Sequence, residues 1–367
     1  MKKITVALLF GGKSGEHEVS LRSAASILKA LDRKKYEVIP VGITKEGQWR
    51  SDPKFLEAAF PEILQSGSPV LLPAEPTENH LLQIHSKDKK ISNKARIDVV
   101  FPALHGTFGE DGTIQGLLDM ANIPYVGAGV LGSAVGMDKD VMKRLLQQAG
   151  LPIVAFIVLL DYQWQREQTR IIQEIESRCG YPCFVKPANL GSSVGISKVR
   201  SRRELNPSIQ LAAQYDRKII VEQGVEGREI ECSVLGNDEP QASLPGEIIP
   251  SHEFYDYAAK YLDESSRLII PAPLEASQTK TIQELAIKTF LATECSGMAR
   301  VDFFLEHKSG KILVNEINTI PGFTSISMYP KLWEASGISY PELIDKLIHL
   351  AIERHSARQS KKTSYSS

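Results

Sequence analysis

The residues best suited to chemistry lie in one stretch near the carboxyl end of the chain, RVDFFLEHKSGKILVNEINTIPGFTSIS, from Arg300 to Ser327. Apolar and polar side chains alternate on both sides of residues 308–310, a pattern typical of two antiparallel strands joined by a hairpin. A three-residue loop at 308–310, with Gly310 in the left-handed conformation, sets the register between the strands.

In that register Asp302 lies opposite Glu316, and Arg300 lies opposite Asn318. Directly opposed side chains are about 5 Å apart at Cβ, so these carboxylates repel each other unless a cation lies between them. Oxygen ligands alone suit magnesium, calcium or manganese. The alternative is that Asp302 and Glu316 form the solvent-exposed face of an ordinary hairpin. The tight turn that follows, Thr319–Ser325, favours the metal site, because its backbone N–H groups could face a developing oxyanion.

The bulk properties bound the class of protein. A chain of 367 residues predicts two or three domains, and 42% hydrophobic with 24% charged residues is typical of a soluble globular protein. The net charge of −1, with no basic block except Lys361 and Lys362, argues against a nucleic-acid partner. The four cysteines show neither CxxC nor zinc spacing and indicate reduced thiols in the cytoplasm. No apolar run reaches transmembrane length, so we expect no membrane association.

The amino-terminal residues predict a doubly wound α/β unit. Ile4–Phe10 is a continuous apolar run, followed by GGKSGEHEVS and a helical pattern over Leu21–Leu31. This is a strand rather than a signal peptide, and it matches neither a P-loop nor GxGxxG. Glu16 stands just beyond the strand end, where ligands bind in such folds. Its spacing fits a helix-terminus charge and an amine-binding carboxylate equally well. His105 lies in a glycine-rich loop, where a structural histidine is the better interpretation from composition alone.

The middle of the chain changes to strand, Gly/Ser loop, strand over Pro182–Val185, 189–195 and Ile196–Val199. Such a loop can close over phosphates, with Lys186 at its base and Lys139 on a helix predicted over Met137–Ala149. Residues 50–95 are polar, without a clean period, and indicate a peripheral elaboration. Residues 251–263 and 186–199 are candidate lids, and Pro341–His355 predicts a terminal helix.

Eight blocks of this sequence together resemble the bacterial D-alanine–D-alanine ligase family in its longer form. They are GGKSGEHEVS, HGTFGEDGTIQG, MDKDVMKRLL, FVKPANLGSSVG, VEQGVEGREIECSVLG, FYDYAAKYLD, GMARVDFF and NEINTIPGFTSIS. They cover nearly the whole chain in the family order, and the HGxxGEDGxxQG and NTxPGxTxxS blocks are specific. The resemblance implies an α/β fold of the ATP-grasp type, in which central and C-terminal α+β domains sandwich ATP. The implied divisions are an N-terminal α/β domain at 1–136, a central domain at 137–225, a C-terminal domain at 226–355 and a disordered tail at 356–367.

The resemblance also implies the ligands, which are ATP, two magnesium (or manganese) ions and two D-alanine molecules, and it assigns roles to residues. For ATP these are Lys139, Lys186, Gly191 and Ser193 at the phosphates, Glu222, Gln223 and Val225 at adenine, and Glu229 at the ribose. The implied metal ligands are Asp302, Glu316 and Asn318. Glu16, helped by His105, would take the first D-alanine ammonium. Ser192 and Tyr261 would join Glu16 in a hydrogen-bonded set, and Lys260 would reach the transferred phosphate. Arg300 and the Gly322 N–H would stabilise the tetrahedral intermediate, while Ser327 and Met328 would position the second D-alanine.

The implied function is ATP-dependent synthesis of D-alanyl-D-alanine for peptidoglycan precursors, by a cytoplasmic enzyme that forms a homodimer. Three alternatives stay open. One is another ATP-grasp carboxylate–amine ligase, or a D-Ala-D-Lac ligase, although Tyr261 within FYDYAAKY favours D-alanine. Another is a nucleotide-binding module without turnover. A Rossmann dehydrogenase is the weakest, because no GxGxxG opens the first helix. Met328 stands where leucine is common in the family, which bears on the second subsite.

Overall fold

The computed structural model describes residues 2–52, 60–77, 79–85, 90–191, 194–249, 267–324 and 326–362. The strands in these ranges are β1 (Ile4–Gly11), β2 (Tyr36–Ile43), β3 (Trp49–Ser51), β4 (Ser68–Leu71), β5 (His80–Ile84), β6 (Ile91–Arg96), β7 (Val99–Pro102), β8 (Phe156–Leu160), β9 (Cys183–Pro187), β10 (Ser197–Val199), β11 (Lys218–Gln223), β12 (Gly227–Gly236), β13 (Gln241–Ala242), β14 (Gly246–Ile249), β15 (Arg267–Ile269), β16 (Gly297–Glu306) and β17 (Ile312–Asn318). The helices are α1 (His17–Ala30), α2 (Phe60–Ser66), α3 (Thr113–Met120), α4 (Val130–Met137), α5 (Lys139–Gln148), α6 (Asp161–Arg178), α7 (Arg202–Ala212), α8 (Ala276–Ala292), α9 (Met328–Ala335) and α10 (Tyr340–Gln359).

The first sheet has the strand order β6-β5-β4-β3-β2-β1-β7. Its core is parallel, with β1 between β2 and β7, as the apolar run at Ile4–Phe10 predicts. The strands β3 to β6 pair antiparallel from the β2 edge outward, so the described residues of the polar segment at 50–95 continue the sheet. This arrangement leaves the carboxyl ends of β1 and β7 side by side, with the Glu16 and His105 loops directly after them.

The second sheet has the order β10-β9-β11-β8. The antiparallel pair β9–β10 confirms the predicted strand, loop, strand unit. Apolar residues of α6 and α7 pack on the inner residues of these strands, including Ile175, Ile209 and Val221. The sheet therefore has one covered face, and Lys186 and Glu222, neighbours of this core in the strands, project away from it.

The third sheet has the order β15-β14-β12-β16-β17, with β13 paired to β12. Apolar residues of α8 and α5, such as Phe290 and Met142, pack against its strands. The helix predicted over Met137–Ala149 is confirmed as α5, although it begins at Lys139 and Met137 is the last residue of α4. The reason is local, because Asp138 takes an extended conformation and its carboxylate accepts the N–H groups of Asp140 and Val141 as an N-cap.

The terminal helix α10 packs against the N-terminal part of the chain. Its apolar residues, including Leu343 and Leu347, share a core with the first sheet. The helix runs to Gln359, so the predictions of a helix end at His355 and a disordered tail from 356 are wrong for residues 356–359. Side-chain bonds from His355 and Gln359 to Asn122 explain the extension. Among the described residues, no helix is long and apolar enough to cross a membrane.

Candidate active site

The predicted cross-strand face is present on β16 and β17. Arg300 pairs with Asn318 and Asp302 pairs with Glu316, which confirms the predicted register. The Arg300 guanidinium donates from Nε and Nη2 to the two Asp302 oxygens at 2.7 and 2.8 Å. Asn318 Nδ2 donates to Asp302 Oδ2 at 2.9 Å. The neighbouring strand β12 adds Glu231, whose Oε2 lies 2.9 Å from Arg300 Nε. One arginine is thus fixed between two carboxylates.

The hairpin reaches this register in an unexpected way. The Glu306 N–H donates to the Lys311 carbonyl at 2.9 Å, so the loop contains four residues, 307–310, and the predicted three-residue loop is wrong. Gly310 has the predicted positive φ, 68°. A bulge at Asn315 then restores the pairing of Asp302 with Glu316. The displaced Asn315 carbonyl accepts a hydrogen bond from Lys143 Nζ at 3.1 Å.

A buried charge cluster connects the second sheet to α5. Glu222 Oε2 lies 2.6 Å from Lys186 Nζ, and Glu222 Oε1 lies 3.1 Å from Lys143 Nζ. Burial by itself would raise the pKa of Glu222, but the two ammonium groups outweigh it and hold the pKa at about 2. Burial lowers the pKa of Lys143, whereas for Lys186 the carboxylates of Glu222 and Glu316 outweigh burial and raise the pKa. Ionised Glu222 therefore fixes both lysines.

Lys139 lies between the candidate phosphate-binding residues and the acidic face, which is the side of β16 and β17 that carries Asp302, Glu316 and Asn318. Its Nζ donates to the Leu190 carbonyl at 3.0 Å and lies 3.7 Å from Glu316 Oε2. Leu190 belongs to the Gly/Ser loop, 189–195, that is predicted to cover the phosphates. Lys139, Lys186 and Glu316 thus lie around one region, as a polyphosphate with a bound cation would require.

On the N-terminal side, Glu16 is 7% exposed and lies among glycines. An added Cβ at Gly106 would lie 2.5 Å from Glu16 Oε2, and one at Gly191 would lie 3.2 Å from the same oxygen. Gly191, in the loop predicted to cover the phosphates, therefore lies beside the Glu16 carboxylate. His105 is buried nearby: burial lowers its pKa, and the Glu16 charge opposes this shift. The structure brings these three predicted groups, Glu16, His105 and Gly191, together.

The turn after β17 leads into α9. Ser327 precedes the first residue of the helix, and its Oγ accepts the Thr324 N–H at 2.9 Å. An added Cβ at Gly322 would lie 2.8 Å from Ser327 Oγ, so the turn packs closely against this hydroxyl. Met328 is buried with Ile248 and Leu332, so its side chain belongs to the core and its backbone N–H to the helix terminus. An anion can bind such a terminus through backbone N–H groups.

The remaining predicted residues divide into two groups. Gln223 is exposed, and Val225 and Glu229 are partly buried, at the end of β11 and the start of β12. Ser192, Ser193, Lys260, Tyr261 and the whole of the predicted lid at 251–263 lie outside the described residues.

The acidic face is suited to bind a hard cation if a substrate supplies additional oxygen ligands. Among residues 2–52, 60–77, 79–85, 90–191, 194–249, 267–324 and 326–362, no three His, Cys, Asp or Glu side chains form a metal-binding group. The available donors are the two carboxylates of Asp302 and Glu316 and the amide oxygen of Asn318. Such a set suits magnesium or manganese when phosphate oxygens and water supply the other ligands.

Sequence reasoning missed three residues of this region, Lys143, Glu231 and Glu110. A signal existed for two of them. Lys143 follows Lys139 by one helical turn and so shares its face, and Glu231 follows Glu229 by two positions on a strand. Glu110 lies in the predicted glycine-rich loop, but its partner, the Ile320 N–H, is distant in sequence, so no local pattern indicates the contact.

The fold and the site together define an ATP-grasp enzyme. The family described as D-ala D-ala ligase N-terminus matches residues 5–128, and D-ala D-ala ligase C-terminus matches residues 145–349. The chain belongs to the D-alanine–D-alanine ligase family.

Individual relatives agree over the full length. The chain is 52% identical to the D-alanine–D-alanine ligase of Heliobacterium modesticaldum, covering 99% of this chain and 98% of the relative. The solved D-alanine–D-alanine ligase of Coxiella burnetii superimposes with a TM-score of 0.86 at 40% identity, covering 98% and 97% of the two chains. The VanG D-Ala:D-Ser ligase of Enterococcus faecalis superimposes with a TM-score of 0.84 at 39% identity, covering 95% and 100%.

Proposed function

We propose that this protein joins two D-alanine molecules to D-alanyl-D-alanine, with conversion of ATP to ADP and phosphate, for peptidoglycan precursor synthesis. The observation that carries the proposal is the face formed by Arg300, Asp302, Glu316 and Asn318 on paired strands, in a chain that matches these ligases from end to end.

The chemistry follows from charge. A carboxylate is a poor electrophile, so the first D-alanine is phosphorylated by ATP to an acyl phosphate before the second amine attacks. Lys139 and Lys186 would bind the phosphates, and two magnesium ions held by Asp302, Glu316 and Asn318 would neutralise charge on the transferred group. Glu222, Gln223 and Val225 would contact adenine, and Glu229 would contact the ribose.

The two D-alanine molecules would bind on the side of the acidic face opposite to the nucleotide. Glu16, near His105, would pair with the first D-alanine ammonium, and Ser192 and Tyr261 would join Glu16 in a hydrogen-bonded set. Lys260 would reach the transferred phosphate. Arg300 and the Gly322 N–H would donate to the oxyanion formed when the second amine attacks. Ser327 and the α9 terminus would hold the second carboxylate. A cytoplasmic homodimer is part of the same proposal.

The test is ADP release from ATP and magnesium with products identified by mass. D-alanine, L-alanine, D-alanine with D-serine, and D-alanine with D-lactate are compared. We expect ADP with D-alanine but not L-alanine, matched by the D-alanyl-D-alanine mass. A dominant mixed product with D-serine or D-lactate would contradict the second-substrate assignment. Tight ATP binding without ADP release under any condition would contradict the enzymatic proposal.

Replacing Gly106 with alanine tests the Glu16 subsite. The new Cβ would lie 2.5 Å from Glu16 Oε2, so the carboxylate has to move, and we expect the KM for D-alanine to rise by about tenfold or more. Gly310→Ala is the matched control: its φ of 68° resembles the 73° of Gly106, but no atom lies within 4 Å of the added Cβ. Both variants lose about 1 kcal/mol of stability. Equal KM values in both variants would refute the placement of Glu16.

A further inference from the structure

The backbone around Gly322 is held by side chains from the other end of the chain. The Ile320 N–H donates to Glu110 Oε1 at 3.0 Å, and the Ile320 carbonyl lies 3.0 Å from His105 Nδ1. The Phe323 N–H donates to Ser23 Oγ at 3.2 Å. Polar backbone groups on both sides of Gly322 are thus bound by side chains of the N-terminal residues.

The donors and acceptors of these hydrogen bonds form one consistent network. A carbonyl only accepts, so His105 Nδ1 carries the proton that is donated to Ile320. Burial lowers the pKa of His105, so the neutral ring is favoured and its Nε2 accepts from Ser23 Oγ at 2.9 Å. The Ser23 hydroxyl is then free to accept the Phe323 N–H. Every donor in this network has an acceptor.

Glu110 links this hydrogen-bond network to Gly106, in the loop beside Glu16. Its Oε2 accepts the Gly106 N–H at 2.7 Å, while its Oε1 accepts the Ile320 N–H. Ser23 and His105 are almost completely buried, as are Ile320 and Phe323. Buried hydrogen bonds of this kind fix a geometry, because breaking one leaves a group unpaired without water.

We infer that Ser23, His105 and Glu110 are positioning residues that hold the 320–323 turn so that the Gly322 N–H faces the oxyanion. This inference rests on the proposed function. A turn attached only to the third sheet could shift relative to Glu16, whereas these three side chains tie the turn to α1 and to the 105–110 loop beside Glu16.

The test compares Ser23→Ala and Glu110→Gln with the wild type, after the wild type has been shown to form the dipeptide. Glutamine keeps one acceptor but turns an NH₂ group toward the other N–H. For each variant we expect kcat to fall by about 10- to 100-fold. Affinity for a phosphinate dipeptide analogue, whose tetrahedral oxygen mimics the oxyanion, should fall by a similar factor. The Kd for magnesium ADP should stay within about twofold, because Ser23 and Glu110 bond Gly106, Ile320 and Phe323, none of which is a proposed nucleotide contact.

Ser20→Ala is the matched control. Ser20 lies on the same helix, is equally buried, and bonds the Ala103 carbonyl and the Gly11 N–H, both outside the turn. We expect it to lower the melting temperature as Ser23→Ala does while kcat and analogue affinity stay close to the wild type. The inference is overturned if Ser23→Ala and Glu110→Gln keep analogue affinity within about twofold, or if nucleotide affinity falls as much. A wild type that makes no dipeptide would refute the proposed function instead.

Discussion

Replacing Arg300 with lysine is expected to lower kcat by about 10²- to 10³-fold, the range seen when one oxyanion donor is removed. The guanidinium holds Asp302 through two parallel bonds at 2.7 and 2.8 Å and also lies 2.9 Å from Glu231. Lysine keeps the charge but cannot supply this planar fork, so both the oxyanion contact and the Asp302 orientation are lost. The measurement is steady-state dipeptide formation with saturating ATP.

Arg228→Lys provides the matched control for this prediction. Arg228 lies on the adjacent β12 and donates to the Glu247 oxygens at 2.8 and 2.7 Å, away from the acidic face. The same loss of a bidentate pair should there cost about 1 kcal/mol of stability at most and leave kcat near the wild-type value. A kcat for Arg300→Lys within about threefold of the wild type would rule out its role at the oxyanion.

Replacing Lys143 with methionine is expected to lower the free energy of unfolding by about 3 kcal/mol or more, because it leaves a buried carboxylate with one cation fewer. The Lys143 side chain is 1% exposed and the Glu222 side chain 4%. The change also removes the bond to the Asn315 carbonyl at the bulge, so magnesium ATP should bind more weakly. Urea unfolding and nucleotide titration measure the two effects.

The same variant should be more sensitive to acid. The depressed pKa of Glu222, about 2, stabilises the fold above its ordinary value of 4.5, and this contribution is lost as the pH falls toward 2. Without Lys143 the pKa rises, so less of this stabilisation is present and acid unfolding begins at a higher pH. Arg144→Met is the control, since Arg144 is 66% exposed and pairs with Asp140 on one helix face. Equal unfolding free energies for the two variants would refute the buried cluster.

Sequence periodicity alone predicts which side chains lie on the same face of a strand. Alternation along Arg300–Asp302 and Glu316–Asn318 places these side chains on one side of the hairpin, because successive strand residues point to opposite faces. The strand, loop, strand unit around Lys186 is equally predictable from the sequence, since its period is local. The assigned register was correct although the loop was not, because the bulge at Asn315 compensates for one additional loop residue.

The contacts between segments that are distant in sequence can be seen only in the tertiary structure. Lys143 pairs with Glu222, Glu110 binds the Ile320 N–H, and α10 continues to Gln359 through contacts with Asn122. In none of these pairs are the two residues one helical turn apart or opposed on paired strands. The hydrophobic periodicity of the sequence therefore does not predict these contacts. Periodicity encodes which side of an element is buried, whereas the pairing of polar groups between elements depends on how whole sheets and helices pack.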